Sequence, residues 1–293
     1  MMLGLVRGPI ALLGWLPLWL VHALATPLGW LLYCLPWKKH RVIATNLAIC
    51  FPDLEPWQRK RLHRDHLVEL MRLVFEAGAM WGWSKARLER HIVFDDSWDR
   101  VAGAAASGRG LLMVGGHLGN WEILNLYLST QVPMVTLYRA PESPALDEFI
   151  TWPRQRFGGR MVASGSPALR HLLSQLRSGQ VAGIAADIQP KKGEGVFVDF
   201  FATPALTMTL VQRLARKTGC QVIFTWAERL PRGRGWKLHF SPADEHIAEP
   251  DPAIALAGMN VWLEQAIKTA PAQYLWIYKR FSRRPEGKPR LYS

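Results

Sequence analysis

Cysteine is scarce in this chain: Cys34, Cys50 and Cys220 are the only three, and no C-x-x-C spacing links them. An odd, scattered set argues against a disulfide framework or a thiolate zinc site, and it favours a reducing compartment. Several catalytic signatures are missing as well. There is no Gly-Lys-Ser/Thr to complete a phosphate-binding loop, no H-E-x-x-H, and no G-x-S-x-G nucleophile elbow. Neither a metal nor a redox cofactor is expected. Acidic residues are few, 23 against 36 Lys and Arg, for a formal net charge of +13. Internal repeats and low-complexity tracts are absent, so a solenoid is not in prospect.

What remains is a globular chain, with 49% hydrophobic and 20% charged residues. Its positive balance calls for an anionic partner, and the 14 tryptophans favour a membrane surface, where indoles settle between apolar chains and headgroups. Nucleic acid is disfavoured, because no recognition motif accompanies the basic residues. From Pro9 to Trp37 no side chain is charged apart from His22, and the run ends at Lys38-Lys39-His40-Arg41. Its length suffices to cross a bilayer core of roughly 30 Å, although Pro17 and Pro27 also allow a kinked segment lying in one leaflet. We therefore expect a membrane anchor over 1–37 and a catalytic domain over 38–293. The basic cluster would place that domain on the cytoplasmic face.

Within 38–293 the pattern divides into a helical lead-in, 38–105, and an α/β core, 106–293. Pro56 opens a helix on which Leu62, Leu67, Leu70, Met71, Val74 and Phe75 recur at helical spacing. Strands are expected at Leu111–Val114, Val132–Tyr138, Val181–Ala186, Val196–Phe201, Gln221–Ala227 and Trp236–Phe240. Helices are expected from Asn120, from Ser166-Pro167 with the serine as cap, over Pro204–Lys217 and over Ala253–Lys268. Such alternation predicts an α/β fold, a mainly parallel sheet flanked by helices. The tail from Arg283 to Ser293 reads as loosely held.

The segment that carries chemistry is Gly115-Gly116-His117-Leu118-Gly119-Asn120-Trp121-Glu122, where a strand ends and a helix begins. Open α/β sheets place ligands at such strand ends. Glycines such as Gly116 let backbone approach a ligand, and free amides after Asn120 suit a developing oxyanion. A carboxylate at Glu122 could fold back onto one nitrogen of His117 and leave the other as a base. On spacing alone, a structural histidine remains the alternative.

The stretch from Val114 to Glu122 resembles the H-x-x-x-x-D/E block of glycerolipid-type acyltransferases. More narrowly, the chain resembles the late acyltransferases of bacterial lipid A biosynthesis, the lauroyl/myristoyl transferase family. The further matches are Asn46-Leu47 with Phe51-Pro52, Asp187 in Ala185-Ala186-Asp187-Ile188-Gln189-Pro190, Gly195 to Phe201, Thr218-Gly219, and Tyr274-Leu275-Trp276 through Gly287. Asp199 and Ile188 depart from the family pattern. The resemblance implies an inner-membrane enzyme that moves an acyl chain from acyl carrier protein to a hydroxyl of an anionic glycolipid acceptor. His117 would be its base and Glu122 the orienting partner. Arg154 or its neighbour Arg156, together with Asp187, Gly116 and Asn120, would contact substrate. The rival readings are the same chemistry on a lysophospholipid, aminolipid or mannolipid, and a non-catalytic lipid-binding protein.

Overall fold

The computed structural model describes residues 12–94 and 98–292, so the first residues of the Pro9–Trp37 run, and Ser293 at the end of the tail, lie outside it. Three helices lead in: α1 (Leu18–Cys34), α2 (Lys39–Cys50) and α3 (Pro56–Met80). Pro56 takes the first position of α3, where its missing N–H costs nothing, and a Glu55–Gln58 capping box closes the turn.

No single helix among the described residues is long and apolar enough to cross a membrane; α1 and α2 reach that standard only as a pair bent by 93°. The main described part of the anchor expected over 1–37 is a 17-residue helix that begins after Pro17 and lies along α3. Leu18, Val21, His22, Ala25 and Gly29 form its buried face. The approach is close enough that a Cβ on Gly29 would sit 2.5 Å from the Val68 Cα. Its other face leaves Trp19, Leu24, Trp30 and Leu31 exposed.

After the short α4 (Lys85–Glu89), β1 (Ile92–Phe94) and α5 (Trp98–Ala106), the core alternates strands and helices. In order these are β2 (Leu111–Gly115), α6 (Trp121–Gln131), β3 (Met134–Tyr138), α7 (Pro144–Arg154), β4 (Arg160–Ala163), α8 (Ser166–Arg177) and β5 (Val181–Ala185). Then come β6 (Gly195–Phe200), β7 (Thr203–Met208), α9 (Leu210–Thr218), β8 (Gln221–Arg229), β9 (Trp236–Pro242) and α10 (Pro252–Thr269). The seven-stranded sheet has the order β1-β9-β8-β2-β5-β3-β4 and is parallel except where β8 meets β9. Side chains alternate across it. Leu111 and Met113 join a core under α1, α3 and α6, whereas Leu112 and Val114 join a second core under α8, α9 and α10.

Two local expectations need correction. The helix expected over Pro204–Lys217 starts at Leu210, because Thr203–Met208 pairs antiparallel with β6 as a separate hairpin. Its two-residue turn is Phe201-Ala202, with φ of 49° and 53°, the left-handed pair that matches strand twist. Pro204 read as a helix opener, but it occupies a strand that has only one paired edge. The cap of α8 is Gly165 rather than Ser166, which is already the first helical residue.

Candidate active site

The chain leaves β2 for β3 on one side and leaves β5 for β8 on the other, so β2 and β5 flank the point where the sheet changes direction. A crevice opens at the carboxyl ends of strands at such a switch. Gly115 and Ala185 are register partners there, which brings the segment after β2 against the segment after β5. His117 and Asp187, 70 residues apart, meet in consequence.

Asp187 grips His117 twice. One carboxylate oxygen lies 2.8 Å from the ring Nδ1, and the other accepts the His117 backbone N–H at 2.8 Å. Gly116 eases this approach, since a Cβ there would stand 3.3 Å from the Asp187 carboxyl carbon. With an anionic acceptor on Nδ1, the proton resides on that nitrogen and Nε2 keeps its lone pair. The imidazole meets the Trp121 ring edge-on, with centroids 4.9 Å apart. Burial works against charging His117, but the charge and hydrogen bond of Asp187, aided by Glu122, outweigh it and hold its pKa above the usual imidazole value. Burial likewise opposes ionisation of Asp187, and the contacts with His117 overcome that, leaving the carboxyl below its ordinary pKa.

The ring partner expected at Glu122 is therefore Asp187 instead. Glu122, in the first turn of α6, forms a fork-to-fork pair with Arg154 at the end of α7: Nε donates to one oxygen at 2.9 Å and Nη2 to the other. Both side chains are mostly buried, 7% and 19% exposed, so neither is a solvated surface pair. Desolvation would lower the Arg154 pKa, yet Glu122 raises it, and the guanidinium stays charged. Arg156 has a different duty. It donates to the Trp81 and Trp83 carbonyls beyond α3 and does not line the cavity described next. Asn120 is fully buried; its side chain accepts the Ile123 N–H at 2.9 Å and caps α6, so it is spoken for by the fold.

His117, Glu122, Arg154 and Gly116 stand on the wall of a cavity of about 150 Å³. Its interior runs between the sheet and α6 and is apolar, lined by Met113, Leu124, Leu128, Met134, Met161 and Ile184. Among the described residues no group of three or more His, Cys, Asp or Glu side chains is arranged to hold a metal ion. A buried feature that the sequence did not suggest lies behind the loop. Glu76 of α3, 0% exposed, is bonded to His22, Asn120 and Arg229. The available signal was a lone glutamate between Phe75 and the small, apolar run Ala77 to Met80.

An imidazole tied to a buried carboxylate, at the wall of a largely apolar cavity on an α/β sheet, is an arrangement able to move a proton beside an apolar-tailed substrate. Residues 3–283 match the family model described as bacterial lipid A biosynthesis acyltransferase, and the chain belongs to that family. It is 29% identical over 292 residues to the lipid A biosynthesis lauroyltransferase of Escherichia coli (strain K12), covering 97% of this chain and 92% of the relative. Similarity also extends to the palmitoleoyltransferase of the same organism, 28% identical with 87% and 82% covered. A lipid A biosynthesis acyltransferase of Haemophilus influenzae (strain ATCC 51907 / DSM 11121 / KW20 / Rd) is 28% identical, with 85% and 78% covered.

Proposed function

We propose that this protein transfers a fatty acyl group from acyl carrier protein to a hydroxyl of a lipid A precursor at the inner membrane, with His117 as general base. The observation that carries this reading is the His117 ring, fixed by Asp187 on one nitrogen and standing at the wall of an apolar cavity. The acceptor O–H gives its proton to Nε2 as the oxygen attacks the thioester carbonyl. The tetrahedral oxyanion is stabilised by the unpaired amides at the start of α6. When the C–S bond breaks, the imidazolium returns the proton to the departing thiolate. Asp187 keeps the tautomer and steadies the cation. A thioester is already activated, so a base, an oxyanion site and orientation suffice.

The acyl chain fits the lining of Met113, Leu124, Leu128 and Ile184. The exposed tryptophans and leucines of α1 supply an apolar face to a lipid surface, and the +13 charge suits both a phosphorylated acceptor and an acidic carrier.

The test is turnover of purified protein with acyl-loaded carrier and a panel of acceptors: a phosphorylated disaccharide lipid, a lysophospholipid, an aminolipid and a mannolipid. Mass spectrometry should find the added chain on the disaccharide lipid. His117→Ala should abolish transfer without change in thermal unfolding or membrane association. Near wild-type turnover of that variant refutes the assignment of the base.

A further inference from the structure

Glu76 reaches the His117–Glu122 loop from α3 by a hydrogen bond to Asn120, and its carboxylate is fully buried. One oxygen accepts Nε of Arg229 at 2.6 Å and Nε2 of His22 at 2.5 Å. The other accepts Nη2 of Arg229 at 2.5 Å and the Asn120 side-chain N–H at 2.7 Å. Arg229 completes its fork on Glu69, and its backbone N–H and C=O pair with the side chain of Gln273. The main-chain carbonyl of Gln273 accepts the Gly119 N–H at 3.1 Å. Four segments distant in sequence (α1, α3, β8 and the segment after α10) therefore converge on Gly119 and Asn120.

The consequence for chemistry runs through the Asn120 amide. An amide can sit either way round, and its two ends differ only in what they bond. A full negative charge on Glu76 admits only the NH₂ end, which leaves Oδ1 facing the Ile123 N–H as the helix cap. With a neutral residue at position 76 that choice is no longer enforced. A turned amide would set donor against donor at the first turn of α6, where Glu122 lies. Burial opposes the charge, but Arg229 and the hydrogen bonds from His22 and Arg229 overcome it and hold the Glu76 pKa at about 2.

We propose that Glu76 is a positioning residue for acyl transfer: acting through Asn120, it sets the start of α6 beside His117, and through His22 it makes that setting depend on α1 lying in place. The inference rests on the reading of the His117 loop as catalytic.

A double-mutant cycle on the full-length enzyme tests it. Asn120→Ser keeps a cap acceptor and removes the amide that Glu76 holds. Glu76→Gln and Asn120→Ser should each lower kcat by about tenfold or more, with KM for donor and acceptor moving less than about threefold. The double variant should be no slower than the slower single, because both changes break one link. Independent, multiplying losses overturn the proposal. Proton NMR supplies a second readout: the Nδ1–H of His117, bonded to Asp187, should shift in Glu76→Gln protein that remains folded. An unmoved resonance again overturns it. Should Glu76→Gln fail to fold, His22→Gln takes its place at the rim of the cluster, with a smaller loss of kcat that Asn120→Ser likewise absorbs; multiplication there is equally fatal. Active His117→Ala protein would sink the catalytic reading itself. Inert His117→Ala with a multiplying cycle would sink only the role given to Glu76.

Discussion

Asp187→Asn is the most discriminating single change at the site. Both carboxylate oxygens accept from His117, one from the backbone N–H and one from the ring, each at 2.8 Å. An asparagine has one acceptor and one NH₂ group, so it cannot serve both. If its oxygen stays on the backbone, the NH₂ faces Nδ1 and drives the ring proton to Nε2, which disarms the base. If its oxygen stays on the ring, the buried backbone N–H is opposed by another donor. Loss of one charge-assisted hydrogen bond costs about 1.5–3 kcal/mol, or roughly 10- to 150-fold in rate. Inversion of the tautomer extends the loss towards about 10⁴-fold. The assay is acyl transfer by purified protein across a pH series. With His117 as the proposed base the active form is the neutral ring, so kcat/KM should fall as pH drops through a midpoint above the ordinary histidine value of about 6.5. Without the Asp187 charge the opposing effect of burial remains, so whatever activity survives should have its acid limb at lower pH. Turnover within about threefold of wild type, with an unmoved limb, would refute the role of Asp187. Collapse of Glu122→Gln alone would return the orienting role to Glu122.

The two arginines should separate cleanly: Arg154→Ala leaves the buried Glu122 charge unpaired and should cost about 3–5 kcal/mol, seen in kcat and thermal unfolding together. Arg156→Ala should lower the unfolding temperature through its lost bonds to the Trp81 and Trp83 carbonyls while kcat changes little, which parallel melting and kinetic measurements would check. Gly183 lies on the cavity wall, where an added methyl would stand 2.9 Å from the Met134 Cε and 3.3 Å from the Thr136 Oγ1. Gly183→Ala should therefore favour donors about two or more carbons shorter, at roughly 0.8 kcal/mol per methylene excluded, as read by competition between carriers loaded with different chains; an unchanged preference would place the acyl chain elsewhere.

The parallel core was legible because its buried strands are short apolar runs, the one at Leu111–Gly115 set between Gly110 and Gly116, and because the helices carry their own punctuation. Asn120 caps α6 and Pro252 opens α10, where Asp251 is the cap. The β7 strand was not legible, since Thr-Pro followed by an apolar run is also how a helix begins; the left-handed turn at Phe201-Ala202 has no glycine to betray it. Within the site, His117 and its loop could be singled out from the motif. Its partner could not, because Glu122 is near in sequence whereas Asp187 is near only once β2 and β5 are neighbours. Strand order is a property of the whole sheet and leaves no local trace. The Glu76 cluster was hidden for the same reason, its members being spread from His22 to Arg229.

The close fit of α1 on α3 has a consequence for how this protein could be rebuilt. With Gly29 against the Val68 backbone and His22 bonded to Glu76, the first helix is not an exchangeable tether. A foreign hydrophobic segment of equal length would bring side chains where only hydrogen fits, and it would leave an acid without its imidazole. Whatever surface this helix meets on its outer side, its inner side belongs to the enzyme, so a graft there would be an operation on the catalyst.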